Sequence, residues 1–348
     1  MKILYGVQGT GNGHTARARA MARALAEQSV EVDFLFSGRE ESQYFSMQAF
    51  GDYQMRKGLT FCSYKGKVNY FQTAMRNNIW RFYQDVARLE LSDYDLVLND
   101  FEPVSAWAAK LQSVPCISIS HQNAFRYPVP LRGASWLDKQ LLNHFAPADY
   151  HLALHWYHFE QPILPPIVHS EVELVEEEPF VLVYLPFEAM SDISELLWRF
   201  SSQHFICFHP HVKTHCKVEN IEFHPLCQQS FQYYLKRCRG VMANGGFELP
   251  SEALMHGKKL LLKPLAGQFE QLSNVATLEE LGLAVGMEHL DAAKVREWLD
   301  DSRGETIRYP NVAKAIVEWL LEGNWDCNKK LSNDLWSQVD WLKYTANI

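Results

Sequence analysis

What this chain of 348 residues lacks narrows its role before any motif is read. No apolar run approaches the roughly 18–20 residues of a membrane-spanning helix. The N-terminus passes from Lys2 straight into ILYGV, so no export leader is expected. The seven cysteines, Cys62, Cys116, Cys207, Cys216, Cys227, Cys238 and Cys327, contain no CxxC pair. They are expected as reduced thiols, which points to the cytosol. A basic excess is also missing. With 33 Lys and Arg against 41 Asp and Glu the net charge is −8, the wrong sign for wrapping phosphate backbones, and no nucleic-acid partner is expected. Low-complexity tracts and short internal repeats are absent.

What is present is 47% apolar and 13% aromatic, ample for two buried cores. The first half alternates apolar runs (ILYGV, 3–7; VEVDFLF, 30–36; YDLVLN, 94–99; PCISIS, 115–120) with helical patterns at 14–28 and 103–111. Strand and helix in alternation predict a parallel sheet covered on both faces. QPILPPIVHSEVELVEEEP (161–179) breaks the rhythm with four prolines and a run of acids, and reads as a linker. The alternation then resumes with FVLVYLPF (180–187), HFICFH (204–209), GVMAN (240–244) and KLLLKP (259–264), with helical patterns near 191–202, 228–238 and from 248. Two similar α/β halves are predicted. Leu335, Val339 and Leu342 recur at helical spacing beside Trp336 and Trp341, which predicts a C-terminal helix packed on the body.

Directly after the first strand, GTGNGHTARARA (9–20) sets Gly9, Gly11, Asn12, Gly13, His14 and Arg17 at the turn into the first helix. The carboxyl end of a strand in an open parallel sheet is where ligands bind, and glycines there let a backbone approach them. The spacing is GxGxG rather than GxGxxG, and the second strand ends in Ser37, Gly38 and Arg39 without an acid, so a nicotinamide cofactor is disfavoured, although Arg39 leaves NADP open. A bare strand-to-helix turn is the plainer account of the glycines, and a capping or packing role the plainer account of His14. An imidazole pointing into a cleft is nonetheless suited to take a proton from a hydroxyl. LVLNDFEP places Asp100 and Glu102 on the same rim. Asp100 is either the carboxylate that orients His14 or a helix cap, a role Glu102 before Pro103 could equally fill.

The most informative stretch is GVMANGGFELPSEALMHGKKLLLKPLAGQFEQLSN (240–274). A strand runs into Asn244, Gly245, Gly246 and Phe247, then a helix carrying Glu252. A second strand ends at Pro264, followed by a loop with Gln268, Glu270, Gln271 and Asn274. A Gly-Gly turn at a helix start can hold a diphosphate by backbone N–H groups and dipole. Glu252 is placed to accept hydrogen bonds from a ribose diol, and Glu270 and Gln271 from sugar hydroxyls.

These residues resemble the nucleotide-sugar glycosyltransferases of the GT-B fold. NGGFELPSEALMHGKKLLLKP followed by EQLSN is similar to the donor motif of UDP-glycosyltransferases and of the peptidoglycan-precursor N-acetylglucosaminyltransferase: a glycine turn, an EAxxxG helix, a strand to Pro, then an acid or Gln with QxxN. GTGNGHTARARA is similar to their GxGHxxRA loop. The GNGHxxRA and GQFEQ forms look closest to a poorly characterised archaeal and bacterial branch.

The resemblance implies an α/β chain of two Rossmann-like domains facing an interdomain cleft. Residues 1–165 would bind the acceptor, 166–179 link the halves, 180–325 bind the donor, and a helix in 326–348 cross back to the first domain. It implies an inverting, metal-independent transfer from a nucleotide diphosphate sugar, UDP first, to a hydroxyl acceptor such as a glycan or glycolipid. No cofactor is called for, since the nucleotide-sugar is a co-substrate, and transfer is expected to survive chelation. His14 matches the acceptor-deprotonating base and Asp100 its orienting acid. Gly245 and Gly246 match the diphosphate turn, Glu252 the ribose ligand, and Glu270 with Gln271 the sugar-reading pair. Asn244 stands where His or Ser is common, and Gly267 with Gln268 lengthen the loop before the EQ pair. The uracil segment falls at Phe223 and His224, without the tryptophan of plant members. A nucleotide-sugar 2-epimerase and a non-catalytic nucleotide-sugar sensor are the alternatives.

His209, His211, His215 and Cys216 in FHPHVKTHC match no standard zinc spacing and read as a polar loop. His151, His155 and His158 read as the last strand of the first half. The stretch 70–89, with Arg76, Arg81, Arg88, Phe71, Trp80, Phe82 and Tyr83, is either a core-facing helix with solvated arginines or a surface that touches a glycolipid or the inner face of a membrane.

Overall fold

The computed structural model describes residues 1–59, 63–64, 67–68, 78–168, 175–301 and 304–342. The part of the aromatic and basic stretch up to residue 77, including Phe71 and Arg76, lies outside them, as do Cys62 and linker residues 169–174.

In chain order the strands are β1 (Lys2–Gln8), β2 (Glu31–Ser37), β3 (Tyr53–Met55), the short pair β4 (Ser63–Tyr64) and β5 (Lys67–Val68), β6 (Leu96–Asp100), β7 (Cys116–Ser120), β8 (Tyr150–Leu154) and β9 (Ile163–Leu164). The second half follows with β10 (Phe180–Tyr184), β11 (His204–Phe208), β12 (Cys216–Val218), β13 (Ile221–His224), β14 (Gly240–Asn244), β15 (Lys259–Lys263), β16 (Val285–Gly286), β17 (Thr306–Arg308) and β18 (Asp340–Leu342). One seven-stranded sheet runs β3-β2-β1-β6-β7-β8-β9, the other β12-β13-β11-β10-β14-β15-β16. Both are parallel except for the antiparallel edge pair of β12 with β13.

The central strands are apolar on both faces because helices cover both: LVLND and KLLLK are buried at every position. Met21 and Leu25 of the first helix, Asn12–Ala26, share one buried cluster with Leu254 and Ile316 of the second half, so the core is continuous between the lobes. Two further clusters fill the opposite faces of the sheets. Strand order reverses at β1 in one sheet and at β10 in the other, which makes the carboxyl ends of β1 with β6 and of β10 with β14 the two topological switch points.

The C-terminal segment differs from the single helix that its spacing predicts. A helix covers only Lys329–Trp336, and Asp340–Leu342 pairs antiparallel with β17 as β18. That ladder supplies main-chain partners a longer helix would have had to provide for itself. Ser332 Oγ and Trp336 Nε1 both donate to the Ile163 carbonyl at the end of the first sheet, at 2.8 and 2.7 Å. No helix among the described residues is long and apolar enough to cross a membrane.

Candidate active site

The first helix starts one residue after Gly11, whose φ of 123° suits glycine, and no side chain caps it. His14 therefore sits in its first turn, directly beyond β1. Asp100, the last residue of β6, is fully buried and lies 2.7 Å from His14 Nδ1. Arg17, one turn further along, clamps the same carboxylate, Nε on Oδ2 and Nη2 on Oδ1, each at 2.7 Å. Burial alone pushes the Asp100 carboxyl up, but the Arg17 guanidinium and His14 prevail and hold it below its ordinary value. An ionised carboxylate has no proton to give, so the proton in the 2.7 Å contact resides on His14 Nδ1. The Arg17 Nη2 to Nδ1 approach of 3.1 Å is then proximity between donors, which leaves Nε2 as the ring nitrogen free for chemistry. The His14 side chain is 13% exposed. Glu102 takes the cap role instead: its carboxylate accepts from Val104 N and Ser105 N at the start of Pro103–Gln112.

On the opposing lobe, β14 ends at Asn244, and Gly245 must be glycine because a Cβ there would come within 2.8 Å of Val275 Cγ2 and 2.9 Å of the Gln271 carbonyl. The helix Glu248–Met255 begins without a side-chain cap. Its first N–H groups and dipole are thus presented to whatever lies ahead. Glu252 is half-buried and accepts from Gln232 Nε2 at 2.8 Å. Burial pushes its carboxyl up against the opposing pull of Gln232 and Arg19.

The two rims meet. Arg17 Nη1 donates to Glu248 Oε1 across the cleft, and Asn12 Nδ2 donates to Tyr184 Oη at the end of β10 at 2.9 Å. A Cβ on Gly13 would lie 2.9 Å from Glu248 Cγ, so the two helix starts abut. Glu248 is pushed up to about 8, chiefly by burial, with Arg17 opposing and Asp100, Glu252 and Glu270 reinforcing. One guanidinium is shared by two carboxylates, and the second is the one that keeps its proton more readily.

Comparison with known proteins shows the family and the fold. The family model described as glycosyl transferase family 1 matches residues 1–302. The chain belongs to glycosyl transferase family 1. Among solved structures it is similar to the glycosyltransferase SnogD from Streptomyces nogalater (16% identity, 97% of this chain and 99% of that one, TM-score 0.54). It is also similar to glycosyltransferase VinC in complex with dTDP (15%, 97% and 99%, 0.54). The spinosyn rhamnosyltransferase SpnG is a third (12%, 96% and 100%, 0.57). At these identities the likeness is one of fold, the two-domain GT-B architecture. Curated proteins give no match.

In this family 1 glycosyltransferase several expected donor residues are already engaged. Gln271 Oε1 accepts from Leu265 N at 2.9 Å and is buried, so it braces the loop before its own helix. Asn274 ties the lobes by accepting from His121 Nε2 at 2.6 Å and donating to the Gly245 carbonyl at 3.0 Å. Glu270 is half-buried and accepts from Gln122 Nε2 at 3.1 Å. By contrast, the buried oxygens Asn244 Oδ1, Gln268 Oε1 and Gln122 Oε1 have no hydrogen-bond partner. Unpaired buried acceptors are costly, and hydroxyl donors of a ligand would satisfy them. Gly9 faces Tyr44 and Ser37, and Arg39 stacks over Tyr44 at 4.0 Å while holding Asn12 Oδ1 at 2.9 Å. Phe223 lies inside the second core at 4% exposure, so its ring offers no platform to a base; a β-strand alternates its faces, and this one points inward.

Glu248, His121, Gln122 and Tyr184 escape sequence inspection. His121 and Tyr184 stand at strand carboxyl ends, where the same rule that selects His14 and Asp100 would have selected them. Glu248 has no such signal, since its importance arises from contact with Arg17, 231 positions away.

Proposed function

We propose that this glycosyltransferase moves a sugar with inversion from a nucleoside diphosphate donor, UDP-linked first, to an acceptor hydroxyl, with His14 as the base. The observation that carries the reading is the His14–Asp100 contact of 2.7 Å directly opposite the uncapped start of the helix Glu248–Met255. His14 Nε2 takes the acceptor proton as the acceptor oxygen bonds to the anomeric carbon. The bond from that carbon to the diphosphate oxygen breaks on the opposite face, and the electron pair departs with the diphosphate. Asp100, through Nδ1, holds the tautomer and balances the imidazolium. N–H groups at the start of the helix Glu248–Met255 receive the charge that develops on the diphosphate.

Glu252 would take the ribose diol, and Glu270 with Gln268 and Asn244 the sugar hydroxyls. Neighbours crystallised with thymidine diphosphate and with a spinosyn aglycone support a nucleotide on one side of the cleft and an acceptor on the other. A glycan or glycolipid acceptor is supported by Ile79, Trp80 and Tyr83, which are exposed on the helix Ile79–Arg88.

The test separates binding from chemistry. His14→Ala should bind UDP and dTDP as the parent does by calorimetry while transfer to a hydroxyl acceptor falls by about 10²–10⁴-fold. Glu252→Ala should weaken nucleotide binding. Undiminished turnover in the histidine variant would remove the assigned base, and sugar release or epimerisation without acceptor would favour the epimerase.

A further inference from the structure

The second sheet carries a further cluster on its edge hairpin, three strands from β14, which takes in His224 of the segment expected to read uracil. β12 and β13 form an edge hairpin with a two-residue turn at Glu219–Asn220, Glu219 having a φ of 55°. Asn220 Nδ2 fixes this turn by donating to the carbonyls of Leu197, Phe200 and Gln203 at 3.1, 2.9 and 3.0 Å. Lys217 pairs with Glu222 and Cys216 with Phe223, which brings His215 opposite His224. By the two-residue alternation of strands, His215, Lys217, Glu222 and His224 share one face, and Cys216 and Phe223 take the other.

On that face Glu222 divides its two oxygens. Oε1 faces Lys217 Nζ at 3.0 Å and His204 Nε2 at 3.2 Å. Oε2 faces His215 Nε2 at 3.6 Å and His224 Nε2 at 3.8 Å. His224 Nε2 is buried without a hydrogen-bond partner, and its ring is held against Phe208 with centroids 5.1 Å apart. The donor atoms of His215, Glu222 and His224 all lie within 4.8 Å of one another. Zinc bound tetrahedrally through N and O at about 2.0–2.2 Å sets neighbouring donors about 3.3 Å apart. The two separations from Glu222 Oε2 exceed that by a few tenths of an ångström and the two histidine nitrogens lie within 4.8 Å of each other, differences that the exposed His215 side chain can take up.

We propose that this hairpin is a binding site for a zinc-class divalent ion, with His215 Nε2, Glu222 Oε2 and His224 Nε2 as ligands and water in the fourth position. Two imidazoles and one carboxylate suit zinc by donor type, and Asn220 fixes the turn between the two strands before the ion arrives. The ion would pin the outer edge of the sheet. β13 is three strands from β14 in the sheet order, about 14 Å at the usual strand spacing, so it stands apart from the proposed chemistry.

The test uses the full chain, stripped with a chelator and titrated with Zn²⁺ against a chromophoric indicator. One tight equivalent is expected, weakened about tenfold or more in His215→Ala and in His224→Ala. Cys216→Ser, on the opposite face, should bind as the parent does. Co²⁺ substitution should give tetrahedral visible absorption in the parent, and His215→Ala, at an exposed position, should keep both the metal-free melting temperature and transfer activity. Absence of a tight equivalent in the parent overturns the proposal. So does binding by the two histidine variants as tight as the parent's, loss of binding in Cys216→Ser, or transfer that disappears on stripping and returns with zinc.

Discussion

The two walls of the cleft are finished to different degrees. On the first lobe, His14, Asp100 and Arg17 satisfy one another, each contact at 2.7 Å and two of the three residues almost wholly buried. On the second, the buried amide oxygens of Asn244 and Gln268 have no partner, nor has Gln122 Oε1 of the first lobe where that residue faces Glu270. A wall whose groups already hold their working geometry costs nothing to reorganise when charge develops, whereas a wall with unpaired acceptors is shaped for groups that arrive from outside. The contrast separates a preorganised base from a receptive cradle.

The largest effect should come from breaking the finished wall. Asp100→Asn removes the charge that fixes the His14 tautomer and leaves Arg17 with Glu248 alone. Turnover should fall by about 10²–10⁴-fold with little change in nucleotide affinity. Removing one partner from a buried ion pair should also lower stability by about 3–5 kcal/mol. Steady-state kinetics and denaturant melts check both, and a variant within threefold of the parent in kcat would mean that the finished wall is structural only.

A smaller effect should come from the residue that joins the walls. Glu248 is pushed up to about 8, so its folded form favours the proton. For a carboxyl raised in this way the stabilising contribution is complete below the ordinary value near 4.5 and is lost as the pH rises to about 8. Across pH 5 to 8 the parent should therefore lose melting temperature relative to Glu248→Gln. Ionised Glu248 also sets a negative charge at the helix start that should receive diphosphate. UDP affinity in the parent should weaken by about tenfold from pH 7 to 9 and stay level in the glutamine variant. Parallel pH profiles in the two proteins would place the proton elsewhere.

Much of this comparison is legible from residue order, and the reasons differ by lobe. His14 and Asp100 follow strands whose apolar runs announce them, and the rule that ligands bind at strand carboxyl ends places both on one rim. The glycine turn after Asn244 is readable because Gly245 has no room for a Cβ. The C-terminal helix is overread, since Leu335, Val339 and Leu342 keep a helical period while the pairing of β18 with β17 ends the helix at Trp336. Phe223 looks like a base platform by its place in a motif, yet strand alternation turns it inward. Arg17 touching Glu248, and His121 touching Asn274, depend on how two lobes close on each other, and no local pattern encodes that.

The smallest effect, and the sharpest test of the receptive wall, belongs to Asn244. Its Nδ2 donates to the Lys263 carbonyl at 3.1 Å, which anchors the turn, while Oδ1 is buried and unpaired. If Oδ1 awaits a sugar hydroxyl, truncation loses one hydrogen bond to bound donor, about 0.5–1.5 kcal/mol, and relieves an unsatisfied acceptor in the free protein. Asn244→Ala should then raise KM for the nucleotide-sugar by about two- to tenfold, leave affinity for the bare nucleotide diphosphate unchanged, and leave stability level or slightly higher. Calorimetry with the sugar nucleotide beside the bare diphosphate makes the distinction. Equal weakening toward both ligands would mean that Asn244 serves the turn through Nδ2 rather than the sugar through Oδ1, and the unpaired oxygen would lose its meaning as a mark of the ligand.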